Sequence, residues 1–312
     1  MAESVQTALI LATQVASEAT LQKAPNSLSY ASFGDTSISA PDLARMVQAV
    51  PAAIAAALTR KAYYFVPLAF SDEKPDEKAE IKPETVPDLT LEPDLGSELT
   101  AATESAAVPA SAGLTNTADE TSPQAGSDAS PALGRNTLIA AVHTQDLIEQ
   151  AICHRNVTLG DVEGVFISTR LLSDRFALAF EFFINIGHAF VDAAGVPAPF
   201  AELVWTQALA DVRGETSQDA WESRALSIPS LPSVSKAAVD EKAKLNYMES
   251  AFSDAVAIYL LSLSVDFDYS ELREREYPLL APRPLADRLR SVARLFPPNS
   301  GYEFAIRYRR RA

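Results

Sequence analysis

Residues 174–195, DRFALAFEFFINIGHAFVDAAG, constrain the fold more than any other part of the chain. This is the longest apolar run, and a few polar residues are set into it. Read as a helix, it places Glu181, Asn185, His188 and Asp192 at steps of four, three and four. Residues three or four apart share a helix face, so the four form one narrow stripe. Phe, Ile, Ala and Val occupy nearly every other side, which marks a buried helix rather than a surface one. Buried polar groups need partners. The expected picture is a central helix carrying a buried polar spine, and what lies opposite that spine decides the function.

A chain of 312 residues, 47% of them hydrophobic, can bury the core of one large domain or two small ones. Its net charge of −15 is unevenly spread. Residues 71–133 hold fourteen Asp and Glu, ten of them in 72–98, against three Lys. The remainder is only mildly acidic, so the low pI does not itself imply a basic partner. Apart from the last few residues there is no basic patch, which argues against nucleic acid. Cys153 is the only cysteine, which excludes an intrachain disulfide and points to a reducing, cytoplasmic compartment. The N-terminus lacks a basic leader region and carries Glu3 before its apolar residues, so it reads as a short amphipathic helix rather than a signal peptide. Glu181 and Asp192 interrupt the apolar run 177–194, which argues against a membrane span.

In chain order, residues 1–22 read as helix and 23–38 as irregular. Ser39 followed by Pro41 starts a helix, since proline in the first turn gives up no needed N–H. Pro51 should break that helix near Ala49. AYYFVPLAF, 62–70, reads as a buried strand, with Pro67 marking an edge or bulge. Residues 71–131 contain seven prolines and no aromatic residue. Such composition cannot bury enough apolar surface to offset its ordering entropy, and predicts disorder. This segment would be either an insertion at the tip of a hairpin formed by 62–70 and 137–142 (TLIAAV) or a plain linker. A helix is expected over 144–155, with His154 and Arg155 exposed at its negative end. A strand at 164–168, helices at 197–212, 235–264 and 284–296, loops at 215–233 and 266–284, and a half-buried strand at 301–309 complete the pattern. Helices and strands do not alternate strictly, so the fold class is α+β with a small mixed sheet and a buried central helix. The main domain is 135–312, continuing from 40–70 within the segment 1–70, and 71–134 is inserted. No glycine-rich phosphate loop occurs.

NIGHAFVDAAG, residues 185–195, resembles the active-site helix of zincin metallopeptidases, most closely the lethal-factor-type branch. In H-E-x-x-H two histidines one turn apart grip zinc, and the glutamate beside the first activates the metal-bound water. With His188 on the second histidine, Ile184 takes the place of the first and Asn185 that of the catalytic glutamate. SAFSDAVAIYL, 250–260, resembles the later helix that supplies the third ligand. Ser250 falls on that ligand, with Glu249 beside it and Asp254 at the second acidic position. The resemblance spans about residues 40–280. It implies a zincin-like scaffold that has lost peptidase chemistry, a pseudopeptidase acting as a binding or structural module. A variant of the same reading keeps a divalent metal such as zinc through His188, Asp192 and Glu249 or Asp254, with Glu181 holding the imidazole. The blander reading makes His188 a core histidine bonded to Asp192 or Glu181.

A different reading takes 178–187 as a strand, so that H-A-F-V-D resembles the H-x-x-x-D of carrier-dependent acyltransferases. His188 would then be the general base and Asp192 an orienting residue. Ala193 stands where those enzymes have glycine. The acidic segment 72–98 offers a protein partner a docking arm, and the terminal RYRRR offers a contact for an acidic surface; both are equally explained as solvated chain.

Overall fold

A computed structural model describes residues 8–68, 70–71, 137–140, 151–172, 174–228, 239–272 and 277–307. Two compact units divide the chain, 1–74 with 133–312, and 75–132; every described residue belongs to the first. The expectations for 72–98, for most of 71–134 and for 308–312 lie outside the described residues.

Strand β1 (Ala8–Leu11) leads into helix α1 (Ala12–Glu18), followed by the short strands β2 (Gln22–Lys23) and β3 (Ser29–Ser32). Helix α2 (Ala40–Gln48) starts on Ser39, whose side chain accepts from Asp42 N, with proline in the first turn. Pro51 ends it and opens α3 (Ala52–Ala57). Strand β4 (Lys61–Val66) follows, then β5 (Phe70–Ser71), β6 (Thr137–Ala140), β7 (Ala151–Ile152), β8 (His154–Leu159) and β9 (Val162–Ser168). The second half is helical: α4 (Arg175–Ala194), α5 (Ala198–Leu209), α6 (Gln218–Ser227), α7 (Glu241–Ser264), a single 3-10 turn (Tyr269–Leu272) and α8 (Pro282–Leu295). The protein is α+β.

The main sheet has the order β2-β3-β4-β9-β8. β3, β4 and β9 are parallel, and the edges β2 and β8 are antiparallel to their neighbours. Both faces of β4 are covered, which explains its unbroken apolar run. Tyr63 and Phe65 join the large core with α2–α5, α7 and α8, whereas Ala62, Tyr64 and Val66 pack with Ala12 and Val15 of α1. Phe182 of α4 meets Tyr63 edge-on, with ring centres 5.2 Å apart, and so seats the central helix on the sheet.

Helix α4 has the expected length for sequence reasons. Asp174 caps its start, accepting from Phe176 N and Ala177 N, and Gly195 ends it at φ +70°, a conformation other residues rarely adopt. Midway, Gly187 lets α7 approach: a Cβ there would lie 2.6 Å from the Ser253 carbonyl oxygen. By length and hydropathy α4 is the one described helix that could cross a membrane, but it is mostly buried inside the protein.

Several expectations are corrected. Residues 8–11 are strand, paired with 137–140, and helix occupies only Ala12–Glu18. The stretch 23–38 contributes β3 to the sheet, because Tyr30 and Ala31 fit a doubly covered surface. β4 is internal rather than an edge, and Pro67 lies just past its end. β4 and β6 do not form a hairpin: β6 pairs with β1, and β5 with β7. The end of the helix expected at 144–155 is extended instead, so His154 opens edge strand β8. The loop 215–233 contains α6, capped by Ser217. Residues 302–307 keep their alternation, with Tyr302, Phe304 and Ile306 packed on the core, but they form no ladder among the described residues.

Candidate functional site

The polar stripe of α4 turns away from the core. Asn185 is buried and Glu181 half-buried, but His188 and Asp192 are exposed. The apolar sides of the helix are taken up by the sheet and by α7, which leaves the stripe to face outward between β8 and α6. Glu181 finds its partner on the edge strand. His154 Nδ1 donates to Glu181 Oε1 at 2.6 Å, and Asn185 Nδ2 donates to the same oxygen at 3.3 Å and to the Glu181 carbonyl at 2.9 Å. Burial and the Glu181 carboxylate both push the neighbouring Cys153 thiol up, which keeps it protonated and a poor nucleophile.

Toward the end of α4 the stripe enters a groove of about 350 Å³. Helix α4 contributes His188, Val191 and Asp192, α6 contributes Asp219, Glu222, Ser223 and Leu226, and α7 contributes Asn246, Glu249 and Ser250. Three of the four residues singled out as metal ligands, His188, Asp192 and Glu249, are therefore neighbours. Asp254 is not among them: it accepts from Thr216 Oγ1 at 2.8 Å in the interior beside α6. His188 is not the bonded core histidine of the blander reading, since its ring makes no hydrogen bond among the described residues. Desolvation holds its pKa below the ordinary imidazole value, against the opposing pull of Asp192, Asp219 and Glu181, so it is neutral at neutral pH.

The groove does not fit a zinc ion of the metallopeptidase type. Among the described residues no three His, Cys, Asp or Glu side chains are placed to hold a metal. Ile184 stands where the first histidine would be, and the Asn185 amide is committed to Glu181. The acyltransferase reading loses its basis, because 178–187 is helix interior and not a strand. No serine, threonine or cysteine among the described residues is hydrogen-bonded to His154 or His188 as a nucleophile would be to its base.

A second polar cluster lies wholly inside. Glu215 is fully buried and held by its backbone to Pro278 and Leu280. Arg288, also fully buried, donates to Glu215 Oε2 at 2.8 Å and to Oε1 at 3.3 Å, while Arg224 Nη1 and Tyr247 Oη reach Oε1 at 3.1 and 2.7 Å. Arg288 Nε donates to Gln207 Oε1 at 2.8 Å. The Glu215 carboxylate thus ties α6, α7 and α8 together, and Arg288 extends the cluster to α5 through Gln207. Burial pushes the nearby Asp254 carboxyl up to about 6, despite hydrogen bonds from Ser217 and Thr216 that favour its charged form. Sequence reading misses this cluster because Glu215 and Arg288 are 73 positions apart. The only local sign is the pair Asp211 and Glu215 before a Ser217 cap. A scan against protein-family models, a search of curated proteins and a search of solved structures each find no match.

Proposed function

We propose that this chain is a zincin-like scaffold without peptidase chemistry, working as a binding or structural module whose recognition surface is the groove between α4, α6 and α7. One observation carries the reading. The groove unites His188 with Ser250, the two positions that the metallopeptidase resemblance matches to ligands, and with Glu249 beside it, while Ile184 and Asn185 replace the groups that would complete a metal grip and a general base. Such a surface keeps a shaped cleft and discards the chemistry.

The groove's charge describes its occupant. Asp192, Asp219, Glu222 and Glu249 line it, none of them in an ion pair with a described residue, and His188 is neutral. A cationic group on a partner matches this surface, and an anionic one is repelled. A reducing, cytoplasmic setting goes with this reading, since the chain has a single thiol. Metal analysis of the purified protein and of His188→Ala, alongside a peptide-hydrolysis assay, tests the proposal. Neither protein is expected to hold stoichiometric zinc or to cleave peptides. Stoichiometric zinc that disappears in His188→Ala would overturn it.

A further inference from the structure

Helix α6 has two functional sides. Asp219, Glu222, Ser223 and Leu226 face the acidic groove, whereas Trp221, Arg224, Ala225 and Ile228 line a separate cavity of about 520 Å³. We propose that this second cavity binds a small amphipathic monocarboxylate, with Arg224 holding the carboxylate and Trp221, Leu209, Val212, Ile228 and Pro278 enclosing the apolar tail. The proposal is independent of any role for the groove.

Arg224 leaves one edge of its guanidinium unused. Its Nη1 is saturated, donating to the Val212 carbonyl at 2.6 Å, the Gly214 carbonyl at 3.2 Å and Glu215 at 3.1 Å. Its Nη2 meets only Asp211 Oδ1, at 3.4 Å, and its Nε meets no acceptor among the described residues. A charge-assisted N–H···O bond is normally about 2.7–2.9 Å, so the Asp211 contact is a loose one. Asp211 is also fully exposed and sits at φ +50°, at the mouth of the cavity rather than inside it. The free edge, Nε with Nη2, is the side of a guanidinium that matches the two oxygens of a planar carboxylate.

Charge and shape point the same way. Arg213 and Arg224 line the cavity against Asp211 alone, and the buried cluster behind it sets Arg224 and Arg288 against the single carboxylate of Glu215. Within the lining itself, Arg213 and Arg224 against Asp211 leave one positive charge for a monoanion to meet. The remaining lining is mainly aliphatic and aromatic, and the volume lies within the roughly 300–1,000 Å³ of small-molecule sites.

Isothermal titration of the full chain with sodium octanoate and with octan-1-ol tests the assignment. Octanoate is expected to bind about tenfold more tightly than the alcohol, the share of a charge-assisted pair. Ala225→Trp fills the cavity from an exposed position of α6, and Leu209→Asp adds a repelling carboxylate at a side chain 62% exposed; each should abolish octanoate binding with far-UV circular dichroism unchanged. Asp211→Asn removes the competing carboxylate and should tighten binding about threefold. Equal affinity for acid and alcohol, no octanoate binding at millimolar concentration, or octanoate binding that survives both Ala225→Trp and Leu209→Asp would overturn the proposal.

Discussion

Glu215 is the residue on which the helical half depends most. It has no access to solvent, and two guanidinium groups and a phenol converge on its carboxylate. Breaking a buried ion pair by removing one partner leaves uncompensated charge, at a cost of about 3–5 kcal/mol. Glu215→Gln is accordingly expected to lose stability of that order in urea unfolding. Asp254 makes a prediction in pH. Its folded pKa of about 6 lies above its ordinary value of 3.8, chiefly through burial. A group raised in this way binds its proton more tightly in the folded state, so its contribution is complete below pH 4 and is lost as pH rises through 6. Stability should therefore carry a downward slope over that window, on the order of 2 kcal/mol, which Asp254→Asn removes. Unfolding midpoints at pH 4 and pH 7 for the two proteins check it. Neither residue stands out in the sequence for this reason: the metallopeptidase resemblance points to Asp254 as a metal ligand, and Glu215 falls in an expected loop.

At the scale of elements, the contact between α4 and α7 rests on Gly187. Any side chain there meets the backbone of Ser253, a contact that no rotamer relieves. Gly187→Ala gains helix propensity but must push the two helices apart, and overpacking of this kind costs about 1–3 kcal/mol. A lower melting temperature, against the rise that propensity alone would give, is the expected outcome. The elements that sequence reading reached are those with local signals. Helix α2 has its serine cap and proline, α4 its aspartate cap and glycine stop, and β4 and β9 have runs of aromatic and β-branched residues. Those it missed lack such signals or are settled by partners far away. Strand β1 needs β6 for its ladder, and α6 is a weakly amphipathic helix that gains its place by packing along α7. The stretch 302–307 has the alternation of a strand but no pairing neighbour among the described residues, so periodicity sets which side chains are buried without setting the hydrogen bonds.

For the molecule as a whole, every contact described above lies within the unit formed by 1–74 and 133–312. Strands β5 and β6 flank that stretch and lie against each other, so a short linker can span the join. Replacing 75–132 with a glycine-serine linker should leave the melting temperature within about 2 °C of the full chain, measured by differential scanning calorimetry. The amino-acid sequence alone determined the α+β class, the central helix with its caps, and the polar stripe upon it, because caps, periodicity and turn chemistry act over a few residues. Tertiary structure alone decided which way the stripe faces, that His154 and not His188 takes Glu181, that Asp254 leaves the groove for the interior, and that Glu215 ties three helices together. Each of these depends on which side chains 27 to 73 positions apart come within hydrogen-bond reach once the core has closed, and no local pattern records that distance.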